Sequence, residues 1–208
     1  MKLGSRFGGN VLGLAIAAVV LCAGAARRAD ARLLQLTVQA DVGGSVGRGT
    51  ANDDTDTDFF NVQSGGAFGG KLGIEFLFID AWVEHQQFFQ GGLKGSWTQL
   101  MLGTDFDFPL SEDDKLIGTV GTGLGFGIGT LQSVDPPLDK AQVENKGFVA
   151  QLSIDLDYKL SPLVSIGASL PIGYHYLFEG DQPANDPNSQ SNGVHAMGLL
   201  TMKFQKTF

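Results

Sequence analysis

The 208-residue sequence has one cysteine, few basic residues and no long apolar run beyond its first 26 residues. The cysteine, Cys22, lies inside an apolar run from Val11 to Ala26. The rest of the chain contains no cysteine, so it is expected to have no disulfide, no thiolate metal site and no cysteine nucleophile. Because no 18-residue apolar stretch follows Ala26, the rest of the chain is not expected to cross a membrane as a helix.

The first 31 residues have the organisation of a secretory signal peptide. Lys2 and Arg6 precede the apolar run, whose length suits the core of such a signal, and Ala29-Asp30-Ala31 forms a small-x-small cleavage site. An earlier site, Ala23-Gly24-Ala25, is the alternative. The sequence therefore predicts a cleaved signal peptide at residues 1–31, export from the cytoplasm and one domain over residues 32–208.

The exported part is strongly acidic. Residues 1–31 contain four of the 14 basic residues and one of the 22 acidic residues, so 10 and 21 remain and the net charge is about −11. This balance argues against binding of nucleic acid through a general basic field.

Apolar and polar residues alternate along eight segments, which is the period-2 pattern of strands. The predicted strands cover residues 34–46, 67–78, 81–89, 97–108, 115–130, 148–160, 164–176 and 194–208. The faces of the segment 81–89 are not assigned. The connections run long, short, medium, short, long, short, long, which is the pattern of a barrel with short turns at one rim and long loops at the other.

The composition of the polar row decides between two barrels. A soluble exported barrel would turn its apolar row inward and need a surface rich in Lys and Glu. Here the polar row holds Gly, Ser, Thr, Gln and carboxylates with few lysines. The prediction is an all-β fold, an eight-stranded antiparallel up-and-down transmembrane β-barrel. Its interfacial aromatic girdles are expected at Trp82, Trp97, Tyr158, Tyr174 and Tyr176.

The last predicted strand carries a family resemblance. Its apolar row ends in Met202, Phe204, Lys206 and Phe208. The sequence resembles small bacterial outer-membrane barrels of the OmpA, OmpX and OmpW type, although Leu199 occupies the place of the family's glycine. The resemblance implies a bacterial outer-membrane location, contact with outer-membrane lipid, and recognition of Met202, Phe204 and Phe208 as a signal by the barrel assembly machinery.

Two sets of residues are predicted to face the barrel interior. The first is a polar network of Asp41, Lys71, Glu75, Asp105, Asp107, Asp155, Asp157 and Lys203. This network is interpreted as a hydrogen-bonded core, and a path for protons or cations is the alternative. The second is a glycine row of Gly121, Gly123, Gly125, Gly127 and Gly129. Long side chains such as Lys71, Glu75 and Lys203 are expected to fill the space over it, and an open lumen is the alternative.

The remaining candidate chemistry is weak. Asp54, Asp56 and Asp58 match the first ligands of a calcium loop, but Phe59 and Gly65 replace its glycine and glutamate, so a solvated loop or one that loosely binds divalent cations is expected. His175 and His195 lack a His-x-Ser context, and no catalytic residue, metal site or cofactor is predicted.

The function predicted from these features is a monomeric, non-enzymatic scaffold that displays acidic extracellular loops. A narrow passage or binding cavity for a small solute, apolar ones included, is the second hypothesis. A lipid-modifying enzyme is the third.

Overall fold

The computed structural model describes residues 34–49, 65–90, 93–133, 143–178 and 191–208. These residues form eight antiparallel strands in one closed barrel, each hydrogen-bonded to its neighbours in the chain, with the last strand paired to the first. The strands are β1 (Gln35–Gly49), β2 (Gly65–Phe76), β3 (Ile79–Gln90), β4 (Leu93–Pro109), β5 (Leu116–Ser133), β6 (Val143–Lys159), β7 (Val164–Phe178) and β8 (Ser191–Thr207). The predicted eight-stranded up-and-down barrel is therefore confirmed.

The strands are strongly staggered around the barrel. From Thr207 in β8, successive partners are Gln35, Glu75, Asp80, Gly103, Gly123, Gln151, Gly173 and finally His195, again in β8. This series of partners starts and ends in β8 but returns at His195 instead of Thr207. The strands must therefore tilt steeply against the barrel axis. This tilt lets strands of 12 to 18 residues fit in a single barrel wall.

Three short connections lie at one end of the barrel, together with the start of β1 and the end of β8. They cover residues 77–78, 110–115 and 160–163. We call this end the short-turn rim and the opposite end the long-loop rim. The 110–115 turn is held by Ser111, whose Oγ accepts hydrogen bonds from the backbone N–H groups of Lys115 (3.1 Å) and Leu116 (2.9 Å). The predicted long loops, residues 50–64, 134–142 and 179–190, lie outside the described residues.

The outer wall of the barrel is apolar. Outward side chains such as Leu72, Leu124 and Leu200 are 60%, 69% and 68% exposed, while their neighbours along each strand point inward. Tyr158 and Tyr174 also point outward, Tyr158 near the short-turn rim and Tyr174 towards the other. The arrangement is the inverse of a water-soluble barrel, because the apolar row faces out and the polar row faces in.

The structure corrects the predicted girdles at two positions. Trp82 and Trp97 were expected at the outer surface, but both point into the barrel and are nearly fully buried. Tryptophan is amphipathic, and position near a strand end does not reveal which face its side chain occupies. The face depends on the register of the whole sheet, which places Trp82 opposite the inward Gly73.

The structure also resolves the ambiguous third strand. Asp80, Trp82, Glu84, Gln86 and Phe88 point inward, whereas Val83, His85 and Phe89 point outward. The connection after β3 is shorter than predicted, because β4 begins at Leu93 and pairs with Gln90. Gly91-Gly92 is a dipeptide typical of two-residue hairpin connections. Among the described residues, no helix is long and apolar enough to cross a membrane.

Candidate functional site

The barrel interior is the region where polar and ionisable side chains converge. Ordered from the short-turn rim by strand position and register, they form three groups. The lower group is Asp80, Asp105, Asp107, Asp155, Asp157 and Lys203; the middle group is Asp41, Glu84, Gln86, Gln99 and Gln151; the upper group is Phe88, Trp97, His175, Leu177 and His195.

Lysines neutralise part of the acidic lower group. The Lys203 ammonium group lies 2.9 Å from an Asp155 oxygen and 2.7 Å from an Asp157 oxygen, with all three side chains largely buried. Ser169 donates a further hydrogen bond to Asp155 (2.5 Å). Breaking one partner of such a buried pair leaves an uncompensated charge, so Lys203 is needed to hold both carboxylates inside the barrel.

A second lysine links the lower group to an aromatic ring. Lys71 Nζ lies 3.5 Å from an Asp80 carboxylate oxygen and 4.2 Å from the centroid of the Trp82 ring. The cation therefore has an ion-pair partner and a favourable contact with the ring face. In this way Trp82 is fixed inside the barrel as part of the polar network.

The middle group is a chain of amide and carboxylate hydrogen bonds across the interior. Gln86 Nε2 donates to Asp41 (2.9 Å) and to Glu84 (3.2 Å). Gln99 Nε2 donates to Glu84 (2.9 Å) and to Gln151 (2.6 Å). Gln86 and Gln99 are only 1% and 2% exposed. The network joins β1, β3, β4 and β6, so it crosses the barrel interior at mid-height with groups that fix each other's orientation.

The upper group is more apolar and contains two histidines. Trp97 donates from Nε1 to Gln99 Oε1 (2.8 Å), which connects it to the middle group. The Trp97 and His175 rings meet edge to face with centroids 4.7 Å apart. His175 Nε2 and His195 Nδ1 are in hydrogen-bond contact, and both rings are completely or almost completely buried.

Large side chains from neighbouring strands occupy the space over the glycine row of β5. A Cβ atom at Gly123 would run into the Trp82 ring, one at Gly127 into the Trp97 ring, and one at Gly125 into Met101. The expectation that Lys71, Glu75 and Lys203 fill this space was wrong for these three glycines. Bulky residues fit there because β5 has no side chains at these positions.

The structure places all the predicted network residues on the inward face, in separate clusters. Asp155, Asp157 and Lys203 meet directly, Asp41 joins the middle group, and Asp107 accepts a hydrogen bond from Thr119 (2.7 Å). Glu84, Gln86, Gln99 and Gln151 were not predicted as site residues from the sequence. Gln99 and Gln151 lay on the polar rows predicted from alternation, but uncharged amides were not treated as site residues.

The residues predicted as an assembly signal share the outward face of β8. Met202, Phe204 and Phe208 are 57%, 45% and 58% exposed. The Phe208 backbone N–H donates to the Leu34 carbonyl (2.9 Å), so pairing between the last and first strands extends to this residue.

One polar cluster interrupts the outer wall. His85 Nδ1 lies 2.7 Å from Thr98 Oγ1, and Gln87 Nε2 lies 3.4 Å from the other ring nitrogen of His85. Above it, towards the long-loop rim, Ser96 and Thr130 share a hydrogen bond of 2.7 Å. The side chains in this cluster satisfy one another, as polar groups on an apolar surface require.

Comparisons with known proteins identify the fold and no close relative. No family model matches the sequence, and a search of curated proteins finds no match. The structure is similar to the crystal structure of Neisserial surface protein A (NspA), with a TM-score of 0.54, 12% identity, and coverage of 81% of this chain and 96% of that one.

Two further solved structures are more distantly similar. The N-terminal β-barrel domain of OprF from Pseudomonas aeruginosa has a TM-score of 0.44 and 14% identity, and covers 83% of this chain and 97% of that one. The attachment invasion locus protein Ail from Yersinia pestis has a TM-score of 0.40 and 12% identity, and covers 83% and 98% respectively.

Proposed function

We propose that this protein is a non-enzymatic barrel of the bacterial outer membrane, which acts as a rigid scaffold for its acidic loops at the cell surface. The observation that carries the proposal is the combination of an apolar outer wall with a filled, hydrogen-bonded interior. The apolar outer wall suits contact with lipid. The hydrogen-bonded interior suits a rigid scaffold better than a transport path.

The outer wall supports the membrane location. Leu100, Leu124 and Leu200 each expose at least 60% of their surface at mid-strand, where water would make such an apolar belt unfavourable. In a bilayer the same belt contacts acyl chains, and the closed sheet leaves no unpaired strand edge. A bacterial outer membrane is the compartment where single-chain barrels of this kind occur.

The packing of the interior supports the scaffold hypothesis rather than the passage hypothesis. Phe88, Gln86 and Gln99 are buried, and the space over the β5 glycines holds Trp82, Met101 and Trp97. An eight-stranded barrel is just wide enough for its side chains to fill it. A solute would have to break the Glu84–Gln99–Gln151 hydrogen bonds to pass mid-height, so the scaffold is favoured over the second hypothesis.

The histidines support a non-enzymatic role. His175 and His195 contact each other inside the barrel and are at most 2% exposed, so a lipid substrate at the outer wall would not reach them. The lipid-modifying enzyme is therefore the least supported of the three hypotheses.

Display of acidic loops follows from the geometry of the rims. Residues 50–64, 134–142 and 179–190 all connect strands at the long-loop rim. Asp54, Asp56 and Asp58 belong to the first of these connections, and we include loose binding of divalent cations there in the proposal. A single barrel with no open sheet edge needs no second copy, so we propose a monomer.

Planar-bilayer conductance of the purified protein tests the scaffold against the passage. We expect no steady ion current, because the middle group closes the lumen. Glu84→Ala combined with Gln99→Ala removes the two central members of that group and provides a positive control for opening. A steady current from the parent protein, unchanged in this double variant, would contradict the scaffold.

A further inference from the structure

Two imidazole nitrogens converge on one point in the upper part of the barrel. His175 in β7 and His195 in β8 have their ring centroids 4.4 Å apart, and the facing atoms are Nε2 of the first and Nδ1 of the second. Both side chains are at most 2% exposed. One of these nitrogens donates a hydrogen bond to the other, and neutral imidazole is the form that ligates metals.

A glycine and a methionine lie next to the two rings. Gly173 lies beside both rings, where a Cβ atom would run into the imidazole of His195. Met197 is the next inward residue of β8 after His195 and is 2% exposed. Two imidazoles are therefore carried on adjacent strands, and a thioether lies one inward position from His195 along β8, towards the middle of the barrel.

The charge of this ligand set selects the ion. Imidazole and thioether ligands are neutral, and among the described residues the interior carboxylates belong to the middle and lower groups. A divalent cation would thus be buried without a compensating anion, which is more costly than burying a monovalent one. Thioether sulfur also prefers soft ions, of which Cu⁺ is the common biological example.

We propose that His175, His195 and Met197 form a binding site for a single cuprous ion in the upper part of the barrel interior. The ion replaces the hydrogen bond between the rings. The proton on the donating nitrogen moves to the other nitrogen of the same ring, so both facing nitrogens become ligands and the net protonation is unchanged. Metal–nitrogen bonds of about 2.0–2.1 Å require the two facing nitrogens to move apart, because they are in direct hydrogen-bond contact in this structure.

The site lies towards the long-loop rim of the barrel. His175 is three residues from the end of β7 at Phe178, and His195 is four residues from the start of β8 at Ser191. Both strand ends lie at the long-loop rim. The histidines therefore lie on the long-loop side of the middle group, and an ion that entered from that side would not pass the hydrogen bonds of the middle group.

Titration of the full refolded protein with Ag⁺, a soft monovalent ion that is stable in air, tests the site directly. We expect one Ag⁺ per barrel, with a rise in unfolding temperature as the ion is added. Quenching of tryptophan fluorescence should follow the same curve, because the Trp97 ring contacts His175. His175→Gln and His195→Gln should each abolish binding, and Met197→Leu should weaken it about tenfold.

His85→Gln is the matched control, because His85 points outward and belongs to the cluster with Thr98. Its Ag⁺ stoichiometry and affinity should equal those of the parent. X-ray absorption of the parent loaded anaerobically with Cu⁺ requires no variant and should show two nitrogen ligands and one sulfur ligand. Retention of binding in His175→Gln, loss in His85→Gln, or a copper spectrum without sulfur would each overturn the proposal.

Discussion

At the residue scale, the interior is organised by the contrast between glycines and large rings. The Trp82 ring has Lys71 over one part of it and lies against Gly103 and Gly123, where side chains are missing from β4 and β5. A tryptophan inside such a narrow barrel needs these bare positions. The glycines thus determine where aromatic residues fit in the interior.

Gly123→Ala tests this packing. The new Cβ would overlap the Trp82 ring, which is held by buried neighbours and cannot move freely. We expect a loss of about 1–3 kcal/mol in the free energy of unfolding, measured by urea titration of the protein refolded in detergent or lipid. Gly198→Ala is the control, because no atom lies within 4 Å of its added Cβ. It should leave stability unchanged or raise it by up to about 1 kcal/mol; equal losses in both variants would refute the packing account.

Lys203→Met tests the buried charges. It keeps the length of the side chain and removes the charge shared by Asp155 and Asp157. The free energy of unfolding should fall by about 3–5 kcal/mol, because two carboxylates lose their cation. Adding Asp157→Asn to this variant should recover part of the loss.

The exposed ion pair in the 110–115 turn supplies a matched comparison. Lys115 and Asp113 lie 3.4 Å apart with more than half of each side chain exposed. Lys115→Met should therefore have no measurable effect in the same unfolding experiment. A similar loss in the two lysine variants would show that burial does not set the strength of the Lys203 contacts.

At the element scale, the closing strand β8 combines an outward apolar row with a row that faces the interior. Leu200 lies at mid-strand on the outward row, next to Val42 of β1 and Ala168 of β7. Inward neighbours Leu199 and Thr201 are buried. The two rows therefore face environments of different polarity along one strand.

Leu200→Arg tests the lipid-facing assignment. An arginine at mid-height on this face should destabilise the barrel by about 2–4 kcal/mol in phospholipid vesicles, measured by reversible unfolding. Tyr158→Arg, on the outward face next to the short-turn rim, should change stability by about 0–1 kcal/mol. If both substitutions are equally well tolerated, the outer face is not in contact with the hydrocarbon layer.

Deletion of Phe208 tests the proposed assembly signal. Its backbone N–H bonds to Leu34, while its side chain points outward and is available to a partner. We expect the yield of inserted barrel in cells to fall more than the yield of refolding in detergent. An equal decrease in the two assays would mean that Phe208 acts through strand pairing alone.

At the scale of the whole molecule, the inverted distribution of polarity favours the proposed membrane location, which implies an export signal. We expect the protein in the outer-membrane fraction, with Arg32 as its first residue by mass spectrometry. Replacing Ala29 and Ala31 by Leu should block cleavage without changing the barrel. Recovery of intact, water-soluble protein from the periplasm would contradict the proposed location.

The sequence determined the strands, their number and the faces of most of them. Alternation is a local property, and each strand except β3 has an apolar row that identifies its outward side without knowledge of its neighbours. Glycines on the polar row of β5 were likewise readable, because position in the alternation fixes their face. The eight strands and the connections at the short-turn rim then led to a closed barrel.

Only the tertiary structure decided which interior residues meet. The contacts of Trp82 with Gly123 and of Gln99 with Gln151 join strands that are separated by dozens of residues, and they depend on the stagger of the closed sheet. The same stagger brings His175 and His195 together, although neither histidine has a local motif. The register around a closed barrel depends on all eight strand pairings together. It therefore cannot be predicted from any single segment of the sequence.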